Sequence, residues 1–133
     1  MTSARPCHNA APMRLFALRG AVSVGRNDSV DILGSAETLM RELMDRNELE
    51  AGAIVSCIFT VTEDLNAEFP ALAARRLGLG QVPLLCAREI DVPGSMRGVI
   101  RVLVHYHADD AHRPRHVYLG EARALREDLE AAQ

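Results

Sequence analysis

Two stretches of this chain alternate so strictly that they admit few folds. In "RLFALRGAVSV" (residues 14–24) Phe16, Leu18, Val22 and Val24 fall on one side, with Ala17, Arg19, Ala21 and Ser23 on the other. In "GVIRVLVHYH" (98–107) Ile100, Val102, Val104 and Tyr106 share a side, opposite Val99, Arg101, Leu103, His105 and His107. A period of two belongs to strands that each bury one face. Between them lies one long stripe of helical period, Ile32, Leu33, Ala36, Leu39, Met40, Leu43 and Met44. Either Asp28 or Ser29 suits its N-cap, and it should end near Asn47. A sheet with one dry face and a single long helix predicts a layer in which the helix covers that face.

The remaining segments extend the same layer. "AIVSCIFTV" (53–61) reads as a strand with little polar content on either face, and "FPALAARRLGLG" (69–80) as a short helix starting near Phe69. "VPLLCAREI" (82–90) is a third strand, "DVPGS" (91–95) a turn and "HVYL" (116–119) a short fifth strand after the one at 98–107. "GEARALREDLEAAQ" (120–133) is polar and reads as partly helical or frayed. The expected class is α+β: a mixed β-sheet with one long and one short helix packed on one face. With 133 residues the chain makes one domain over 13–133, and residues 1–12 read as a flexible tail.

Composition narrows the function classes. A formal charge of −3 without a basic stripe argues against a nucleic-acid partner. Apolar runs fall short of the ~20 residues that span a bilayer, so a membrane is not expected either. Cys7, Cys57 and Cys86 are odd in number and far apart, which suits a reducing cytoplasm better than a disulfide framework. "HYHADDAHRPRH" (105–116) brings His105, His107, His112 and His116 close in sequence, the spacing of a possible zinc site, yet nothing else fixes a ligand and no metal is expected.

The informative positions are charged residues inside strands. Arg19 sits between small Ala17 and Ala21 and is followed by Gly20, which leaves room for something to approach. Arg101 shares its face with Val99 and Leu103. Pairing with Glu89 in a structural salt bridge is the bland reading of either arginine. Two guanidinium forks, a carboxylate at Glu89 and the hydroxyl of Tyr118 would together form a concave polar site for a small polyanion.

"LRGAVSV" (18–24), "DLNAEFPALAAR" (64–75), "VPLLCAREIDVPGSMRGVIRV" (82–102) and "RHVYL" (115–119) occur in an order and spacing that resemble the small trimeric chorismate mutases of the AroH class. The likeness covers roughly residues 14–129. It implies a pseudo-α/β-barrel homotrimer with sites between neighbouring subunits. It also implies an isomerase that turns chorismate into prephenate for phenylalanine and tyrosine synthesis in the shikimate pathway, with no metal, cofactor or covalent intermediate. By the same resemblance Arg101 meets the ether oxygen, Arg19 clamps a carboxylate, and Glu89 accepts from the ring hydroxyl. Tyr118 and the Cys86 thiol add hydrogen bonds. Phe69, Arg75 and Leu85 line the cleft, and Leu125 and Arg126 belong to a tail that closes over it. Leu72, Leu85 and Glu68 depart from the family pattern at the cleft rim.

Cys86 and Glu89 are three apart, so a regular strand points them to opposite sides. Either the strand bulges near Ala87 and Arg88, or the two residues serve different clefts of an oligomer. The alternatives to a mutase are a non-catalytic trimeric module that binds an aromatic-pathway metabolite and an imine-deaminating enzyme on a similar layer.

Overall fold

The computed structural model describes residues 12–125; the tail before Pro12, and Arg126 with the residues after it, lie outside. Among the described residues the strands and the two α-helices that frame the sheet follow in the order β1 Met13–Ser23, α1 Ser29–Arg46, β2 Ile54–Val61, α2 Ala71–Ala74, β3 Leu84–Arg88, β4 Val99–Asp109 and β5 Val117–Leu119. The strands form one mixed sheet in the order β3-β2-β4-β1-β5. β4 runs antiparallel to both β2 and β1, while the outer strands β3 and β5 run parallel to their neighbours. No helix among the described residues is long and apolar enough to cross a membrane.

Of the two candidate caps, Asp28 takes the role: its Oδ1 accepts from the Asp31 backbone N–H at 2.7 Å. At the far end Asn47 is buried and does two things at once. Its Nδ2 donates to Leu43 O and Arg115 O, each at 2.9 Å, and its Oδ1 accepts from Arg115 N at 2.8 Å. Those bonds satisfy the helix C-terminus and fix the backbone that leads into β5.

The helix stripe Ile32, Ala36, Leu39, Met40 and Leu43 is fully buried against Leu18, Val22, Phe59, Ile100, Val102 and Val104. Gly20 explains how close the layers come. A Cβ there would lie 2.8 Å from a Leu43 methyl and 3.1 Å from a Leu39 methyl. The room beside Gly20 on the covered face is therefore taken by α1, because in a strand the residue after Arg19 points the other way.

α1 does not cover the opposite face; among the described residues the single turn Gly120–Ala122 packs there, with Ala122 against Ala21 and Val99. Leu15 and Val55 stay exposed on it, and Leu85 and the turn residues Ile90 and Val92 are exposed as well.

Candidate active site

One rung of the sheet crosses all five strands. Tyr118 on β5 pairs with Ala21 on β1, Ala21 with Arg101 on β4, Arg101 with Thr60 on β2, and Thr60 with Ala87 on β3. Paired residues project to the same side, so all five stand on the face that α1 does not cover. Arg19 lies two residues before Ala21, diagonally across from Arg101, within reach of a long side chain. Glu89 follows two residues after Ala87 and keeps its side.

Arg19, Arg101 and Tyr118 consequently line one cleft of about 340 Å³, floored by Gly20, Ala21, Ile58, Thr60, Val102 and Leu103. Small Ala21 between Arg101 and Tyr118 keeps that floor low. The Arg19 backbone is held from the outside, where its N–H donates to His116 Nδ1 at 3.0 Å. Tyr118 packs with Met96 and Leu125 against a small apolar cluster of Ala21, Val99 and Ala122. Its three-residue strand is pinned at the end by Ser23, whose Oγ accepts from Glu121 N at 3.0 Å.

Glu89 braces the cleft. Its backbone N–H donates to Val61 O at 2.9 Å, which sets it just beyond the end of β3. Its Oε2 accepts from the Thr60 hydroxyl at 2.7 Å and lies 2.9 Å from Arg101 Nε. The Arg101 contact is close but poorly aligned for a hydrogen bond, and Nε is buried without another acceptor among the described residues. It is an ion contact more than a directed bond, and it leaves the two terminal guanidinium nitrogens for a ligand. The entrance to β4 is fixed by Thr62 and Asp64: Val99 N donates to Thr62 Oγ1 at 3.1 Å and Gly98 N to Asp64 Oδ1 at 3.2 Å.

The other sequence candidates gather elsewhere. Phe69, Arg75, Leu85 and Cys86 line a second cleft of about 410 Å³ with Glu68 and Leu72, at the outer edge of β3. Phe69 is 70% exposed there. It is carried by a loop that Asn27 ties down: Asn27 Oδ1 accepts from Asn66 N at 3.0 Å and Ala67 N at 3.1 Å. Pro70 is the N-cap of α2, and the widened turn that continues it, Arg75–Leu79, contains Gly78 at φ 95°, a left-handed conformation that favours glycine. β3 pairs with β2 in unbroken register from Leu84 to Arg88, so the bulge considered for Ala87 and Arg88 is absent and Cys86 does face away from Glu89. The bulge in the sheet lies in β2, between Ile54 and Ser56. Leu125 borders the Tyr118 cluster, and Arg126 lies outside the described residues.

The histidines do not converge. Tyr106 shares a hydrogen bond with His112 at 2.8 Å, Ser56 one with His105 at 3.2 Å, and His116 accepts from Arg19. Among the described residues no three His, Cys, Asp or Glu side chains gather as a metal site would require.

A clustered pair of arginines braced by a carboxylate, on the sheet face that the helix leaves open, is now joined by comparison with known proteins. Residues 15–129 match the family model described as chorismate mutase type I. The chain belongs to the chorismate mutase type I family. A chorismate mutase AroH from Thermus thermophilus is 46% identical over 118 residues, 87% of this chain and 97% of that protein. One from Bacillus subtilis is 35% identical over 119 residues, 88% and 94% of the two chains. The structure of a chorismate mutase from Clostridium thermocellum superposes with a TM-score of 0.79 at 43% identity, covering 82% of this chain and 98% of that one. The α+β sheet expected for the family is the one found.

Thr60 was the site residue that sequence reading missed. A threonine in a β-branched run looks like an ordinary strand former; only its place on the open face, opposite Arg101, marks it.

Proposed function

We propose that this chain isomerises chorismate to prephenate in the cleft of Arg19, Arg101 and Tyr118. The single observation that carries the reading is the shared cleft: two guanidinium groups from adjacent strands face one space, with Glu89 bracing the nearer of them. Chorismate is a dianion whose ether C–O bond breaks as a new C–C bond forms, and negative charge grows on the ether oxygen. A guanidinium already fixed at that oxygen stabilises the transition state more than the ground state. Arg101 takes this role, because the contact of its Nε with Glu89 restrains the plane while the terminal nitrogens stay available. Arg19 and the Tyr118 hydroxyl hold carboxylate oxygens. Glu89 accepts the ring hydroxyl through the oxygen not engaged by Thr60 and Arg101. The rearrangement is unimolecular and needs no proton transfer, so the site works by position and charge alone.

In this reading a homotrimer completes each site. Phe69, Arg75, Leu85 and Cys86 of a neighbouring copy close over the arginine cleft, and Leu125 and Arg126 cap it. Support comes from the separation of the two clefts within one chain and from the apolar open face, with Leu15, Val55 and Leu85 exposed. Both cysteines among the described residues are free, which suits a cytoplasmic enzyme of aromatic amino acid synthesis.

Purified protein is mixed with chorismate and its ultraviolet absorbance followed. Conversion to prephenate without ammonia release is the expected result, and unchanged chorismate rejects the reading. Mixing an Arg101→Ala chain with a Phe69→Ala chain then tests the shared site. With chorismate well below KM, a rate above the sum of the two separate variants is expected after subunit exchange, and a rate equal to that sum results if each site lies within one chain.

A further inference from the structure

We infer that Thr60 is a positioning residue for the reaction, acting through Glu89; the inference rests on the mutase reading above. Oxygen Oε2 of Glu89 has two partners, the Thr60 hydroxyl at 2.7 Å and Arg101 Nε at 2.9 Å. The first is a short O–H···O⁻ bond, in the range of charge-assisted hydrogen bonds. The second is misaligned, since Nε makes no directed hydrogen bond. An ion contact fixes distance but leaves a carboxylate free to rotate; the directed bond from Thr60 fixes which oxygen faces Arg101.

That choice has chemical content. With Oε2 held between Thr60 and Arg101, Oε1 is the oxygen that neither of these two engages, and it is the acceptor a substrate hydroxyl would use. The same bond keeps the negative charge of Glu89 at the inner end of the guanidinium, so the terminal nitrogens are not drawn back onto the carboxylate. Thr60 is itself well anchored, since β2 is hydrogen-bonded on both sides, with Thr60 opposite Arg101 on β4 and Ala87 on β3. Its β-branched side chain has little χ1 freedom, so the hydroxyl is aimed before any ligand arrives. Thr60 also lines the arginine cleft, but its hydroxyl is committed to Glu89 and not to the space.

The test compares wild type with Thr60→Val, which keeps the shape and removes the donor, and Thr60→Ser, which keeps the donor. Thr60→Val should lower kcat about 10- to 100-fold, the range expected for losing a hydrogen bond to a charged group, with a smaller change in KM. Thr60→Ser should recover most of that loss. In a Glu89→Ala background Thr60→Val should change kcat by less than about twofold, because the path it acts through is gone. Should Thr60→Val fold poorly, Thr60→Ala carries the same expectations.

A wild-type kcat in the folded donor-free variant overturns the inference while the mutase reading stands. So does failure of Thr60→Ser to rescue, or an undiminished loss in the Glu89→Ala background, since either would mark a purely structural role. A wild-type protein that leaves chorismate unchanged rejects the underlying reading, and the inference falls with it.

Discussion

Tyr106 and Tyr118 are the only tyrosines of the chain, and they stand on opposite faces of one sheet. Tyr106 faces the helix layer. It is fully buried, stacks on Phe16, bonds to His112 at 2.8 Å, and burial pushes its hydroxyl up to about 12. Tyr118 faces the open side and borders the cleft of Arg19 and Arg101. One residue type is a core aromatic in the first place and a cleft-lining side chain in the second. The difference lies in what stands around each ring: Phe16 and His112 packed on Tyr106, guanidinium groups beside Tyr118. Fold and chemistry are thus divided between two faces of the same strands, and substitutions should divide in the same way.

The sharpest break would come at Arg101. Arg101→Ala should lower kcat by about 10²–10³-fold or more while the thermal midpoint stays near wild type, the effect of deleting a group aimed at developing charge. Arg101→Lys should also be poor, because a point charge does not reproduce a planar fork. Circular dichroism alongside the chorismate assay checks both halves; an active Arg101→Ala protein would end the division of labour.

The mirror experiment is Phe59→Ala on the covered face, where Phe59 is fully buried. It should cost about 3–5 kcal/mol in denaturant unfolding. At temperatures where the variant stays folded, its kcat should remain close to wild type.

A smaller effect is expected from the second cleft. Phe69→Ala should reduce kcat/KM about tenfold, most of it in KM, since an aromatic wall contributes binding to ground and transition states alike. A loss concentrated in kcat would instead move Phe69 into the charge-stabilising half.

The smallest effect is read by pH. Burial raises the Cys57 thiol from 9.0 to about 12 and the Tyr106 hydroxyl from 10.0 to about 12. Both folded values lie above the unfolded ones, so the folded state holds these protons more tightly. Their contribution is complete below pH 9 and is lost as pH rises toward 12. Unfolding free energy followed upward from pH 9.0, the ordinary thiol value, should therefore decline. Cys57→Ala should delay that decline and Tyr106→Phe should flatten its upper part.

The element pattern was legible because periodicity reports which side of a strand or helix is dry, and five strands and both helices lie close to where it puts them. The limits of helix α1 were legible for a local reason, the Asp28 cap and the Asn47 stop. Gly20 was half legible: a missing Cβ signals close approach without saying from which layer, and on the covered face the answer depended on Leu39 and Leu43, one turn apart on α1. The relation between Cys86 and Glu89 was half legible: parity placed them on opposite sides, but only the unbroken β2–β3 register decides against a bulge. Thr60 stayed hidden because what marks it is a cross-strand hydrogen bond to Glu89, 29 positions away. What covers the open face is beyond periodicity altogether, since alternation describes a surface and not the partner that meets it.

The five-strand rung from Tyr118 to Ala87 gives the molecule a form of proofreading. Slipping any one pairing by a single position turns that strand over, drives Arg101 or its neighbours toward Leu39 and Leu43, and lifts valines into water. Misregistered chains would thus be disfavoured by the burial of an unpaired cation. The groups that make the surface reactive would also select the alignment in which they can react.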